Sequence, residues 1–399
     1  MIESTVYIAK TEVIFSKEKE LFLMINGVRK EAYLCERYVP GKSMDEVKEA
    51  YGLNSVVKLG SNENAYGPFE HTKLAMASEI NRLNIYPEKN FIKLKNLLGE
   101  KYGLDGSYIG LGHGAGGVLE TLARTFLEAG DKVIIPKESY RLYREISKMM
   151  GAVVKEIPLD SGFSMNLDDF KAALTPKCKL IWLCNPNNPT GSLFDKEKFK
   201  ELVNALPEST WIVLDEAYAE FAPNELLPNG IDFIKQHKNV ICVRTFSKYY
   251  GLAGGRIGYL VADPELITCY DTVSEPFNAN RIGLAGAVSI IEHDLATAKT
   301  YGDRIVADRE RISEQLTEMG CAVSPSYANF VFFSTPYPAA ETAEQLMRRG
   351  VIVRPCGGWG YDRHIRVTVG NTEENDIFLS ELKAVLEANA SANAPEISV

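Results

Sequence analysis

A chain of 399 residues, 45% hydrophobic and 24% charged, is long enough to bury a large core and is expected to form two domains. Its formal net charge of −9 argues against a basic nucleic-acid-binding face, and no apolar run reaches the length that spans a membrane. Seven cysteines without a CxxC pair and five histidines without HxxxH spacing argue against disulfides and a metal site; with no signal-peptide core near the N-terminus, the expectation is a cytoplasmic protein with reduced thiols.

In chain order, residues 1 to about 35 alternate short apolar and charged pieces around Asn26-Gly27, a hairpin-turn signal. This reads as an N-terminal arm with some strand character. After Pro40-Gly41 the spacing predicts a helix over Met44–Tyr51 and a strand over 56–59. Residues 110–117 (GLGHGAGG) follow Tyr108-Ile109 and open a helix with the apolar face Val118, Leu119, Leu122 and Phe126. Such a loop offers backbone N–H groups to an anion, but alone it also fits a dinucleotide loop or a plain turn.

The middle of the chain repeats one rhythm, an apolar β-branched run that ends in a polar motif. Residues 132–136 lead to Ser139-Tyr140, 179–184 to Asn185-Pro-Asn-Asn-Pro-Thr-Gly191, 211–214 to Asp215-Glu-Ala-Tyr218, and 239–243 to Ser247-Lys248. Near-continuous apolar runs separated by helices such as 195–206 predict strands buried on both faces in a mostly parallel sheet. Ligands bind at the carboxyl ends of such strands, where all four motifs lie. Beyond about residue 290 a long helix over roughly 278–319, strands at 322–323 and 329–333, a helix over 340–349, and strands at 351–354 and 364–368 predict a smaller α/β unit. Residues 388–399 (ANASANAPEISV) read as a loose tail.

The stretch Arg244-Thr-Phe-Ser-Lys248-Tyr-Tyr-Gly-Leu-Ala-Gly-Gly-Arg256 carries the chemistry. A lysine that forms a Schiff base must be partly desolvated and surrounded by groups that grip a phosphorylated aldehyde. Lys248 reads as a pyridoxal phosphate lysine, with a solvated surface charge as the bland alternative, and the glycine-rich loop as a phosphate cradle. Asp215 at a strand end fits the anion that keeps a pyridine nitrogen protonated, with a helix N-cap as its alternative. Asn188 and Tyr218 are placed to bond the ring hydroxyl. Tyr140 offers a stacking plane or is a core aromatic.

These motifs resemble the fold-type I pyridoxal phosphate-dependent aminotransferases, and most of all the histidinol-phosphate aminotransferase family. Further matches are residues 38–43 (YVPGKS), Ser61-Asn-Glu-Asn64, Gly67-Pro68, Tyr86-Pro87, Asn329-Phe330 and Ile365-Arg-Val-Thr-Val-Gly370, so the likeness covers about residues 36–385. It implies an α/β fold with an arm (1–35), a first piece of a small domain (36–60), a large cofactor domain with a mostly parallel central sheet (61–290), a small C-terminal α/β domain (291–387) and the tail (388–399). It implies that Lys248 links to the cofactor aldehyde and shuttles a proton, and that Ser247, Arg256 and the backbone of Ala115 and Gly116 hold its phosphate. Tyr86 is expected to reach the cofactor phosphate of a partner subunit in a homodimer. Arg366 is expected to grip the substrate carboxylate, with Arg354, Tyr38 and Asn64 near the substrate; Arg354 also reads as a surface salt-bridge residue.

The implied function is transfer of an amino group between an amino acid, with glutamate as a candidate donor, and a 2-oxo acid or oxo-phosphate. A non-transaminating enzyme on this fold (decarboxylase, eliminase or oxidase) shares Lys248 and Asp215 and stays open at this point, as does a non-catalytic cofactor-binding protein. The chain departs from the family where His113-Gly-Ala-Gly-Gly117 replaces a usual Asn-Gly-Ser-Asp-Glu, Ala65 a proline and Gly255 a leucine. These changes raise the expectation of a roomier site for a substrate other than histidinol phosphate. The arm, longer than the family needs, is expected to strap across the partner.

Overall fold

The computed structural model describes residues 13–15, 21–23, 25–37 and 41–392. Its centre is a seven-stranded sheet in the order Ile109–His113, Ile257–Val261, Val240–Thr245, Trp211–Asp215, Cys178–Cys184, Lys132–Pro136, Val153–Ile157. Among these only Ile257–Val261 runs antiparallel to its neighbours. The central strands are buried on both faces, which is why their sequences read as unbroken apolar runs. The fold is therefore α/β with a mostly parallel central sheet. The edge strand Val153–Ile157 is amphipathic instead.

A second core lies around a four-stranded antiparallel sheet, ordered Ala322–Ser324, Phe330–Ser334, His364–Thr368, Arg354–Pro355. Ile365, Val367, Val331 and Phe333 point into that core, against the helices Leu295–Glu318 and Thr372–Ala392. Strand alternation then sends Arg366 and Phe332 to the opposite face. The short strand Val57–Lys58 pairs in parallel with Val351–Ile352, so the chain preceding the large sheet is tied to the segment that closes the second core.

Local chemistry explains several boundaries. Met44–Tyr51 starts with a capping box, Ser43 Oγ accepting from Glu46 N at 3.2 Å while Glu46 Oε2 accepts from Ser43 N at 2.6 Å. Asp195 caps Lys196–Asn204 by accepting from Glu197 N and Lys198 N.

Other sequence expectations are corrected. Residues 110–113 are strand rather than loop, and the helix begins only at Gly114. Glycine is needed there because a Cβ on Gly112 would fall 2.8 Å from Val118 and 2.9 Å from the Tyr270 hydroxyl. The helix expected over 278–319 is interrupted: Arg281–Ser289 passes into a π-helical turn at Ile290–Asp294 before Leu295–Glu318. At this turn the buried Asp294 carboxylate accepts from Thr72 N, Thr72 Oγ1 and His71, bonds to a distant helix that no local pattern reveals. Asn26-Gly27 is a turn, but it leads to the short helix Glu31–Leu34, and Val13–Phe15 pairs instead with Leu21–Leu23. Val353 separates two short strands in different sheets. The helix Thr372–Ala392 takes up the first residues of the expected loose tail; 393–399 lie outside the described residues.

Candidate active site

The site forms where strand ends of the large sheet meet the polar face of the small one. Two glycines press the loop 61–68 against the turn after Lys248: a Cβ on Gly67 would lie 2.5 Å from Gly251 Cα, and Gly251 has φ +67°. This approach brings Lys248 to the loop, where its Nζ donates to Ser61 O at 3.2 Å and Asn62 O at 3.1 Å. Its ammonium lies 5.8 Å from the centre of the Tyr218 ring. Burial pushes the Lys248 amine down to about 8, and the positive charges of Arg366 and Arg256 add to that, against Glu63 and Asp215.

Asp215 ends the Trp211–Asp215 strand and is buried. One oxygen accepts from the Tyr143 hydroxyl at 2.7 Å and the other from Ala217 N at 3.1 Å. The Ala217 bond has the form of the expected cap, yet no regular helix follows directly. Burial raises its pKa to about 6 despite these bonds. No salt bridge to Asp215 occurs among the described residues. A buried carboxylate with two hydrogen-bond donors and no ion-pair contact is poised to meet a positive charge. Tyr143, which sequence reading missed, is itself held by stacking on Trp182 at 5.6 Å. Tyr140 stands on the same turn, part exposed, with its ring edge-on to Tyr143 at 5.6 Å.

Next to this pair, Gly114 opens its helix at φ +70°, and a Cβ there would fall 2.5 Å from Arg256 Nη2. Arg256 is itself at φ 53° and donates to Ala253 O. Ala115 and Gly116 occupy the first turn of that helix, which has no side-chain cap. Ser247 is buried, with Thr245 Oγ1 bonded to both its N–H and its hydroxyl. Bare helix amides beside a guanidinium form a cradle for a phosphate. The lysine, the unpaired carboxylate and this cradle fit pyridoxal phosphate.

The small sheet closes the site. Arg366 donates to Asn188 Oδ1 and, at 3.0 Å, to Gly60 O, with its guanidinium 5.4 Å from the Phe330 ring and 6.0 Å from the Trp359 ring. Arg354 lies directly opposite Arg366 on the neighbouring antiparallel strand. Tyr218 is buried, and its hydroxyl accepts from Asn62 Nδ2 at 3.0 Å. Asn62 sits at φ 55°, two residues before Asn64, and was overlooked; its place in the Ser61–Asn64 motif was the available signal.

Not every expected residue converges here. The Asn64 amide spans backbone, donating to Tyr249 O and accepting from Tyr66 N. Tyr86 is 73% exposed, stacks on Phe277 at 4.4 Å, and lines a separate groove of about 680 Å³ with His71, Arg82 and Arg281. Tyr38 lies outside the described residues. Gly255 does not open space: its carbonyl accepts from Asn280 Nδ2 and packs against Gly283, while Ala65 and His113 are exposed. The expected extra room has no support at these positions.

Comparison with known proteins agrees with this geometry. Residues 54–382 match the model of the family "Aminotransferase class I and II". The chain is 37% identical over 355 residues to histidinol-phosphate aminotransferase 2 of Haemophilus influenzae, covering 88% of this chain and 95% of the relative. It is 36% identical to histidinol-phosphate aminotransferase of Symbiobacterium thermophilum, covering 91% and 99%. The crystal structure of histidinol-phosphate aminotransferase from Sinorhizobium meliloti, in complex with pyridoxal-5'-phosphate, superposes with a TM-score of 0.82 at 28% identity, covering 92% of this chain and 99% of that one. The fold and these matches agree, and the chain belongs to the class I and II aminotransferases, as a fold-type I, pyridoxal phosphate-dependent transaminase of the histidinol-phosphate aminotransferase family.

Proposed function

We propose that the enzyme moves an amino group from glutamate to an oxo alcohol phosphate, giving 2-oxoglutarate and an amino alcohol phosphate of the histidinol-phosphate type, and the reverse, as a cytoplasmic homodimer. The observation that carries the substrate reading is the register of Arg354 against Arg366. Directly opposed residues on antiparallel strands leave the same face, so two guanidinium groups serve one site. That suits donors and acceptors bearing a carboxylate or a phosphate, each a bidentate partner for arginine.

Bound pyridoxal phosphate withdraws electrons from the substrate α-carbon. Lys248, with its amine brought down from 10.5 to about 8, holds about a tenth of its population unprotonated at pH 7, far more than a solvated lysine, and would bond the cofactor aldehyde and carry a proton to and from the α-carbon. Asp215 supplies the anion that holds a pyridine proton, and Tyr143 aims it. Tyr218 and Asn188 bond the ring hydroxyl; Asn188, whose oxygen accepts from Arg366, still has its amide N–H to donate. Tyr140 would stack on the ring, and Ser247, Arg256 and the amides of Ala115 and Gly116 would hold the phosphate.

The exposed apolar run Leu74, Ile80, Leu83, Ile85 and Tyr86 supports a partner interface, from which Tyr86 reaches the neighbouring site. Sedimentation at micromolar concentration should give a dimer, and a monomer would remove this part of the reading. For the substrate, kcat/KM is compared for histidinol phosphate and phenylalanine with 2-oxoglutarate. The expected preference for histidinol phosphate is about tenfold or more, lost in Arg354→Gln. A preference for phenylalanine in the wild type contradicts the reading.

A further inference from the structure

We propose that Trp359 is a positioning residue that locks the carboxylate-binding arginine to the ring-stacking loop of the large sheet, an inference that rests on the roles of Arg366 and Tyr140 given above. Trp359 lies in the connection between the small-sheet strands Arg354–Pro355 and His364–Thr368. Three glycines surround it, Gly357, Gly358 and Gly360, and a Cβ on Gly358 or Gly360 would meet nothing within 4 Å. The backbone of this connection bonds to its own sheet, Cys356 N to His364 O and Trp359 N to Cys356 O. The indole goes elsewhere. Its Nε1 donates to Ser139 O, on the large-sheet turn that carries Tyr140, at 2.7 Å.

The contacts close a ring. Buried Ser139 donates through Oγ to Asn187 Oδ1 at 2.7 Å, and Asn187 Nδ2 donates back to Glu138 O at 3.0 Å. Asn188, the next residue, accepts from Arg366. The guanidinium of Arg366 in turn lies 6.0 Å from the Trp359 ring, at the outer range of a cation–π contact. Arg366, Asn188, Asn187, Ser139 and Trp359 therefore encircle the place where a substrate carboxylate meets arginine. Bidentate recognition needs the guanidinium plane held at a fixed angle, and a neutral aromatic wall holds it without competing for its charge. The indole N–H sets how far that wall stands from the Tyr140 turn.

Two variants separate the ring from the N–H. Trp359→Phe keeps a ring beside Arg366 and loses the bond to Ser139. Trp359→Leu loses both. The expected result is a rise in KM for glutamate of about three- to tenfold in the first and about thirtyfold or more in the second, with kcat changed by less than about threefold. The dissociation constant of succinate, a dicarboxylate that cannot react, should rise in parallel when read from the cofactor absorbance. The affinity of the apoprotein for pyridoxal phosphate should change by less than about threefold, because Trp359 has no part in the phosphate cradle and the Ser139–Asn187 and Asn187–Glu138 bonds still hold the Tyr140 turn. Unchanged KM and succinate binding in Trp359→Phe, beside a wild type that binds both ligands, would overturn the proposal alone. So would a loss of kcat and cofactor affinity at constant KM, which marks a purely structural role. A wild type that binds neither glutamate nor succinate would overturn the reading of Arg366, and this proposal with it. Should Trp359→Leu fail to fold, Trp359→Phe still decides.

Discussion

The large-sheet and small-sheet halves of the site are built differently. On the large sheet, Asn185, Asp215 and Lys248 follow neighbouring parallel strands, so strand ends and helix starts converge on the cofactor through backbone geometry. On the small sheet, Arg354 and Arg366 meet through antiparallel register, and side-chain contacts with Asn188 and Trp359 hold Arg366 in place. In the proposed reading the first half fixes where chemistry happens and the second what is held there. Changes on the large sheet should therefore act on kcat and on the cofactor, and changes on the small sheet on KM.

The largest effect is expected at Lys248. Lys248→Ala should lower turnover by about a thousandfold or more, since it removes both the nucleophile and the proton carrier, and single-turnover kinetics with glutamate would show it. Asp215→Asn sharpens the contrast from the side of stability. In the cofactor-free protein the Asp215 pKa is raised from 3.8 to about 6, so the folded state binds its proton more tightly than the unfolded chain does. Stability then falls as pH rises from about 4 through 6, by about 2–3 kcal/mol. Asp215→Asn avoids that cost. The apo variant should melt above the apo wild type at pH 8, the two should converge near pH 4, and pyridoxal phosphate should reverse the order at pH 8. Calorimetry across pH reads all three.

Arg366→Lys should raise KM for glutamate about thirty- to a hundredfold and leave kcat within a few-fold, because an ammonium cannot reproduce the two-pronged bond. A fall in kcat at constant KM would break the division between the halves. Tyr143→Phe is expected to have the smallest effect. It removes one hydrogen bond to Asp215, so cofactor affinity should weaken about three- to tenfold with KM for glutamate unmoved, as equilibrium dialysis and initial rates would show.

What the sequence made visible follows another division, between contiguous motifs and contacts made across long separations. Strand ends of the large sheet carry their residues in short contiguous motifs, so Lys248, Asp215, Asn188 and Tyr218 could be named from the chain. Met44–Tyr51 was equally legible because its capping box is local. Residues that act across long separations were not. Tyr143 reaches Asp215 from 72 positions away, Trp359 reaches Ser139 from 220, and Asn62 reaches Tyr218 from 156. The π-helical turn at Ile290–Asp294 depends on His71 and Thr72, and the strand at Ile109–His113 was hidden because its glycines look like a loop until the packing of Val118 and Tyr270 is seen. Nor does Gly255 signal an enlarged site, since a Cβ there would already lie 3.3 Å from Leu252 O and 3.6 Å from Gly283 Cα.

The central claim is that Lys248, Asp215 and Arg366 act together as one transaminating site. The most direct test is the absorbance of the purified, cofactor-loaded protein before and after anaerobic addition of glutamate alone. The predicted result is a band from the lysine-bound cofactor that glutamate converts to the pyridoxamine phosphate form, with one equivalent of 2-oxoglutarate released per site. A band that glutamate leaves unchanged, or that changes while carbon dioxide or ammonia is released, would contradict it.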